Sequence, residues 1–388
     1  MITEQEIYFM PLGGGQRVGA SCYYLRLGGV NIILDAGIGK EKGMTFEPDF
    51  HSLLTSIFVQ SLSQINQIYI SHAHADHIGY LLRLMRETSR ADVYMTEITA
   101  LLSEYQLYDK TYLSGRNEDE NQRLAAQYIL NKITTVSYMK QLDFGNYKVT
   151  FLPAGHIPGA MMVLFEYGKR RILYTGDYSL KNTPLTSGCM IPKDLEIDTV
   201  IMCGLHAKHP TYKKKADGLF QTVQYVMRLV EQRQIAVMCR VSQLSKGMEF
   251  IKTLNEWNVH NIPIYIDDSV MKPVIKMEQL GIPIMTINNK TIGFEIPKEP
   301  HIYITANTTY PTYPNNRYAQ EVTIDFSLHE DFSEMEEFIK KVNPRQAVIV
   351  HCAKEYSPMD STIEQVIMLD GECRTQFIFA EERELYKL

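Results

Sequence analysis

Short apolar runs ended by turn residues open the chain. IYFMPLGGG, SCYYLRLGG and VNIILDAG predict strands closed by Gly turns. Leu53, Leu54, Ile57, Phe58, Leu62 and Ile65 follow at helical spacing, which predicts a one-sided amphipathic helix. A strand, QIYI, then ends in SHAHADHIG, Ser71 to Gly79, ahead of an apolar helix, IGYLLRLMRE. Residues 92–150 predict strand, helix, a polar loop (SGRNEDENQ), a further helix and a hairpin. Two strand–loop units come next, VTFLPAGHIPGA and RRILYTGDYS, each an apolar run stopped by Gly beside one His or Asp.

From about Pro210 the pattern changes. TYKKKADG leads into a helix, LFQTVQYVMRLVEQ. A strand (IAVMCRV), a helix (SKGMEFIKTLNEW), a strand (IPIYIDD) and a helix (VMKPVIKMEQLG) follow. This alternation predicts a parallel α/β unit of about 110 residues. HIYITANTTY is another buried-type strand and runs into a Pro/Tyr/Asn loop, YPTYPNNRY. The chain then returns to strand, loop, helix and strand through EVTIDFSLHED, FSEMEEFIKKVNP and RQAVIVHCAKE.

Four strand ends share one design, an apolar run that stops at a metal-type side chain. They are SHAHADHIG, LPAGHIPG, YTGDYS and VIVHC, and they offer His72, His74, Asp76, His77, His156, Asp177 and His351. Imidazole and carboxylate suit zinc and similar borderline ions. In H-x-H, alternate residues of an extended segment face one ion, and Asp76 and His77 can face a second. The bland reading is a polar loop with Asp76 capping a helix. Three further ligand-ended strands weigh against it.

Composition narrows the partners. The 388 residues carry a net charge of -6, with a pI near 6.0. That excludes a globally basic nucleic-acid binder and leaves room for a local basic groove. The six Cys, at 22, 189, 203, 239, 352 and 373, form no C-x-x-C pair, so neither a zinc ribbon nor a redox motif is signalled. Scattered Cys of this kind suit a reducing cytosol. The start, MITEQEIYF, has no apolar signal core, and no uninterrupted 18-residue apolar stretch exists. A cytoplasmic protein without a membrane span is expected.

The H-x-H-x-D-H pattern resembles the metallo-β-lactamase superfamily over residues 1 to about 208 and 322 to 388. The resemblance implies an α/β fold, a four-layer αββα sandwich holding one or two metals, here two Zn2+ with Mn2+ as the alternative. It assigns the first metal to His72, His74 and His156, the second to Asp76, His77 and His351, and the bridge to Asp177. Asp35 in ILDAG matches an aspartate that supports the site from behind. Two ions about 4 Å apart hold a bridging water and lower its pKa towards neutrality.

The α/β unit between Asp177 and His351 resembles the insertion of the β-CASP branch, which includes RNA-processing nucleases. Expected bounds are 1–208 for the first part of the sandwich, 209–321 for the inserted β-CASP-like domain and 322–388 for the second part. DFSLHEDF places His329 where that branch has a general acid, and VIVHC places His351 at its last motif. Asp76 and His329 are therefore the catalytic candidates. The resemblance implies a ribonuclease in which a metal-bridging hydroxide attacks phosphorus and His329 protonates the leaving oxygen. RNA is the expected substrate ahead of DNA, without a membrane, and a homodimer is left open.

Three features depart from the branch. An acid belongs at the end of the strand DTVIM, where Cys203-Gly204 stands, and no carboxylate is expected there to orient His329. His206 and His209 lie nearby in sequence. The Gly-Arg that opens the next phosphate-contacting helix is replaced by CRVSQLSKG, and the Gly-rich strand end near residue 306 by ANTTYPTYPNN. The basic runs Lys169-Arg170-Arg171 and Lys213-Lys214-Lys215 could contact phosphates, and Tyr310, Tyr313 and Tyr318 could stack on bases. The departures favour a rival, a small-molecule hydrolase of the same fold cleaving an ester, thioester, lactone or cyclic phosphodiester. A non-catalytic binding protein is the third class, and the complete ligand set argues against it.

Overall fold

The computed structural model describes residues 6–108, 130–191, 195–210, 218–258, 261–285, 289–291, 299–307, 320–352, 362–370 and 375–388. The loop SGRNEDENQ, the run Lys213–Lys215 and Tyr310, Tyr313 and Tyr318 lie outside them. Among the described residues no helix is long and apolar enough to cross a membrane.

Strands β1 (Ile7–Gly13), β2 (Cys22–Leu27) and β3 (Val30–Leu34) form an antiparallel meander. A small hairpin, β4 (Gly39–Glu41) and β5 (Met44–Phe46), follows. Strands β6 (Gln67–Tyr69), β7 (Asp92–Thr96) and β8 (Thr134–Val136) extend the first sheet in parallel. The second sheet contains β9 (Gln141–Asp143), β10 (Tyr147–Pro153), β11 (Met161–Tyr167), β12 (Arg170–Tyr174) and β13 (Thr199–Cys203). Strands β14 (Val237–Arg240), β15 (Ile264–Ile266), β16 (Asn289–Thr291), β17 (Ile302–Thr305) and β18 (Gln320–Thr323) build a separate parallel sheet. Strands β19 (Gln346–Val350), β20 (Gln376–Phe379) and β21 (Tyr386–Lys387) return to the first two. The orders are β21-β1-β2-β3-β6-β7-β8, β20-β19-β13-β12-β11-β10-β9 and β16-β15-β17-β14-β18.

The first two sheets pack face to face because each lends one alternating row of apolar side chains. Phe9, Tyr23, Leu25, Ile32, Leu34 and Tyr69 from one meet Val149, Phe151, Val163, Phe165, Ile172, Tyr174, Ile201 and Val348 from the other. Period-2 alternation puts the intervening residues on the outer faces. There Met10, Tyr24, Ile33, Ile68 and Met95 pack with Leu53, Leu81 and Leu84. On the outer side of the second sheet, Phe338 of the helix Phe332–Val342 meets Tyr178, ring centroids 4.8 Å apart. The result is an αββα sandwich. In it β3, β6 and β7 run parallel, as do β12, β13, β19 and β20. Parallel strands gather their carboxyl ends on one edge, where ligands collect.

The amphipathic helix expected over Leu53–Ile65 does not form as one element. His51–Leu54 is helical, Leu62–Gln64 is a 3-10 turn, and the chain between them is irregular. Ser61 and Gln64 close a capping box, and Ser hydroxyls compete with helix hydrogen bonds in this way. Leu53, Phe58, Leu62 and Ile65 are buried, whereas Ile57 is 78% exposed. Burial is met without a continuous helix.

Two compact units divide the chain. One comprises 1–181, 187–213 and 329–388, and the other 182–186 and 214–328. The second extends past residue 321 because β18 pairs with β14. It takes in Asn182–Thr186 because Glu249, on the helix Lys246–Trp257, accepts hydrogen bonds from the Thr183 hydroxyl and the Leu185 amide. Burial outweighs these donors and pushes the Glu249 carboxyl up to about 7. A raised carboxyl favours the protonated form in the folded state, so its contribution is present below the ordinary carboxyl pKa and lost as pH rises through about 7. Relative to Glu249→Gln, the wild-type protein should lose roughly 3 kcal/mol of stability between about pH 4 and 8. Chemical denaturation across that range checks this, and a pH-independent difference would contradict it.

Candidate metal centre

The site lies within the sandwich unit, at the carboxyl ends of its strands. β3 ends in Asp35, whose backbone adopts φ +59°, and β19 ends in His351 at φ +53°. L-residues enter this left-handed region at a cost. Both side chains are thereby turned towards the SHAHADHIG loop. Gly37 lets that loop approach: a Cβ there would stand 1.7 Å from the Asp76 carbonyl oxygen.

Asp35 is fully buried. It accepts from the Ser71 amide at 2.6 Å, from the Ser71 hydroxyl at 2.7 Å and from the Tyr174 hydroxyl. It also holds His77 Nδ1 at 2.7 Å. His77 Nε2 therefore faces the site, 3.3 Å from Asp177 Oδ2 and 4.0 Å from Asp76 Oδ2. The same device recurs. The Ser71 hydroxyl lies 3.0 Å from His72 Nδ1, and the Ser21 hydroxyl 2.9 Å from His351 Nδ1. Each ring then presents Nε2 forwards. Asp35, Ser71 and Ser21 are the parts behind the site.

In front, two groups form. His72, His74, His156 and Asp177 bring one donor atom each within 4.8 Å of one another, as do Asp76, His77 and His351. His74 Nδ1 stands 3.1 Å from both His72 Nε2 and His156 Nε2. Asp177 joins the groups, with Oδ2 3.7 Å from His72, 3.8 Å from His156 and 3.3 Å from His77. His351 Nε2 is 3.8 Å from Asp76 Oδ2. This is the division that the family resemblance implies.

The electrostatics follow from burial. Burial and then the neighbouring His77 and His74 hold His72 well below the usual imidazole range. For His77 burial acts the same way, but Asp177 and Asp35 outweigh it and hold the ring well above that range. Burial raises Asp177, yet His77, His351 and His329 prevail and hold its carboxyl well below the carboxylate range. Neither Asp177 oxygen accepts a hydrogen bond of good geometry, although the side chain is buried. A dry carboxylate among converging imidazole nitrogens is a donor set for divalent metal ions.

His329 reaches the same place from the loop before the helix Phe332–Val342. Its ring lies 4.4 Å from that of His156, and its Nδ1 is 3.5 Å from Asp177 Oδ2. The end of β13 carries Cys203 and no carboxylate, and it is Asp177, from the loop after β12, that stands against His329. Burial first, and then His156, hold His329 well below the imidazole range. His206 and His209 are not among the strongest influences on it. Asp177, Cys203 and His329 form a third group of donor atoms. Cys203 sits at the end of β13, where its amide donates to the Thr175 hydroxyl at 3.2 Å.

The run Lys169-Arg170-Arg171 is elsewhere. It occupies the amino end of β12, away from Asp177, and Arg170 and Arg171 pair with Asp198 and Glu166 at 3.8 and 3.4 Å. Ser21, Ser71 and Tyr174 carry no spacing signal in the sequence. Their only cue is position beside a strand end.

Residues 15–215, just over half of the chain, match the family model described as the metallo-beta-lactamase superfamily, and the chain belongs to that superfamily. Its relatives include endoribonuclease ysh1 of Aspergillus fumigatus, 27% identical over 303 residues, 74% of this chain and 33% of the relative. Endoribonuclease ysh1 of Schizosaccharomyces pombe is 29% identical over 310 residues, 76% and 39%. Cleavage and polyadenylation specificity factor 73 of Drosophila melanogaster is 28% identical over 287 residues, 71% and 40%. These relatives represent the β-CASP branch, and the match spans 33–40% of their length. A crystal structure of a protein of unknown function from Enterococcus faecalis V583 shares the fold at TM-score 0.66 and 12% identity, covering 99% of this chain and 100% of the other.

Because Asp35 aims His77, Asp35→Asn should weaken divalent-metal affinity about 10- to 100-fold. Competition with a chelating dye measures this, and an unchanged affinity would contradict the role.

Proposed function

We infer that the chain is a metal-dependent phosphodiesterase of the β-CASP type, acting on RNA. The observation that carries the reading is Asp177, a dry carboxylate shared by two ligand groups with His329 against it. His72, His74 and His156 would hold one ion, Asp76, His77 and His351 the other, and Asp177 both. Imidazole and carboxylate donors favour zinc, with manganese as the alternative. Two such ions supply an activated water and offset the charge of a phosphate.

The chain's own residues do the rest. The backing set of Asp35, Ser71 and Ser21 fixes the rings. Burial of the ligands, apart from partly exposed His74 and Asp76, keeps the site dry and strengthens its electrostatics. His329 stands against Asp177, and a ring that has taken up a proton from water there would pass it to the departing oxygen. Names and alignments of the ysh1 and factor 73 relatives support RNA as the substrate.

The test uses protein loaded with Zn or Mn and labelled single-stranded RNA and DNA of one sequence. RNA should be cut. His329→Ala should lower kcat by about 10²- to 10⁴-fold with bound metal unchanged. A metal-loaded protein that cuts neither polymer would sink the reading. Turnover of an ester, thioester, lactone or cyclic phosphodiester instead would move it to a small-molecule hydrolase.

A further inference from the structure

One of the three donor groups contains sulfur. Cys203 Sγ, a carboxylate oxygen of Asp177 and a ring nitrogen of His329 all lie within 4.8 Å of one another. His329 Nδ1 is 3.5 Å from Asp177 Oδ2. Around a tetrahedral zinc with bonds of about 2.0–2.3 Å, neighbouring donor atoms stand roughly 3.3–3.8 Å apart. The nitrogen–oxygen pair already meets this spacing. Cys203 is a free thiol, buried like Asp177. His329 is the partly exposed member of the group and leaves the way in.

Each donor projects from a pinned backbone. Cys203 pairs with Val350 of β19, and the next amide, Gly204, donates to the Val350 carbonyl at 2.8 Å. The Thr175 amide donates to the Ile201 carbonyl at 3.0 Å, and its hydroxyl accepts from the Cys203 amide at 3.2 Å. The chain just before Asp177 is thereby tied to the end of β13. The loop of His329 is tied to the loop after Asp177. There the Glu330 amide donates to the Tyr178 carbonyl at 2.9 Å. The Glu334 carboxylate accepts from the Leu180 amide at 2.8 Å and the Ser179 hydroxyl at 3.2 Å. Three connections thus hold the three donors together before any ion arrives, which is what a built site requires.

A buried Cys is most often a small apolar filler. The company of this one argues otherwise. Neither Asp177 oxygen accepts a hydrogen bond of good geometry. A carboxylate has two oxygens, so Asp177 can serve a further ion without leaving the paired groups. Those groups hold only imidazole and carboxylate. A thiolate beside them selects zinc-like ions over manganese or magnesium. We propose that Cys203, His329 and Asp177 form a third site for a thiophilic divalent ion, zinc or cadmium, whose occupation takes His329 out of use. On binding, the S–H bond breaks, its proton passes to water, and the sulfur gives an electron pair to the ion. A third divalent ion meets the repulsion of the first two, so this site fills after them. A His329 nitrogen that holds an ion cannot take up a proton. Only this last consequence rests on the hydrolase reading above.

The test titrates cadmium into the full chain after it has been loaded with zinc at the paired groups. Those groups contain no sulfur, so the ultraviolet charge-transfer band between cadmium and a thiolate is silent on exchange within them. The wild type should show a saturable band, and Cys203→Ser and His329→Ala should lose it, each checked for melting temperature. If Cys203→Ser fails to fold, Cys203→Ala replaces it, and if neither folds, the band in His329→Ala decides. No band in the wild type would overturn the site, as would a band that persists in a folded Cys203 variant or in His329→Ala. The second readout is RNA cleavage. Zinc in excess of the loaded pair should lower wild-type kcat towards that of His329→Ala, about 10²- to 10⁴-fold, and the same excess of manganese should not. Cys203→Ser should keep its own rate in excess zinc. Equal zinc inhibition of the wild type and Cys203→Ser would overturn the effect on His329. If the metal-loaded wild type cuts no nucleic acid, the hydrolase reading fails, and the thiolate band still decides for or against the site.

Discussion

A carboxylate without good hydrogen bonds, with four imidazole nitrogens within 3.8 Å, is held together by charge alone. Asp177 is that carboxylate. In a dry setting an anion needs cations, and a protein can provide them as protonated rings or as metal ions. His77 is biased towards the protonated form by its surroundings, while His72 and His329 are biased against it. Divalent ions bound there would supply the positive charge that the buried carboxylate calls for. The other polar choices at this edge of the sandwich serve that balance.

The geometry depends on strand ends more than on loops. Parallel pairing of β3, β6 and β7, and of β12, β13 and β19, delivers Asp35, the histidine loop, Asp177, Cys203 and His351 to one edge. Left-handed backbone at Asp35 and His351 then turns these two side chains inwards. Serine hydroxyls hold Nδ1 of His72 and His351 from behind and orient the rings. A rigid sandwich thus supplies a precision that flexible connections would not.

The candidate ligands that the fold brings together were legible because local grammar writes them. H-x-H-x-D-H packs four of them into six residues, and His156, Asp177 and His351 each stop an apolar run. The outer architecture was legible for the same reason, through strand alternation and the later α/β rhythm. What stayed hidden is nonlocal. Ser21 meets His351 across 330 positions, and Tyr174 meets Asp35 across 139. Ser and Tyr are too common to mark such pairings. Leu53–Ile65 misled in the other direction: apolar spacing reports burial, and burial there is met by a broken chain with its own serine caps.

The second sheet is split in time as well as in sequence. β13 and β19 pair along five residues, yet the whole of 214–328 is made between them. A nascent chain that has just completed β13 holds most of its ligands but neither His351 nor His329. All five residues of β13 are buried in the finished protein, so its far edge is bare while the ribosome builds the second unit. Unpaired apolar edges invite aggregation. Synthesis therefore sets a built-in delay. The candidate metal centre is not complete until the second unit has been made and β19 has followed it.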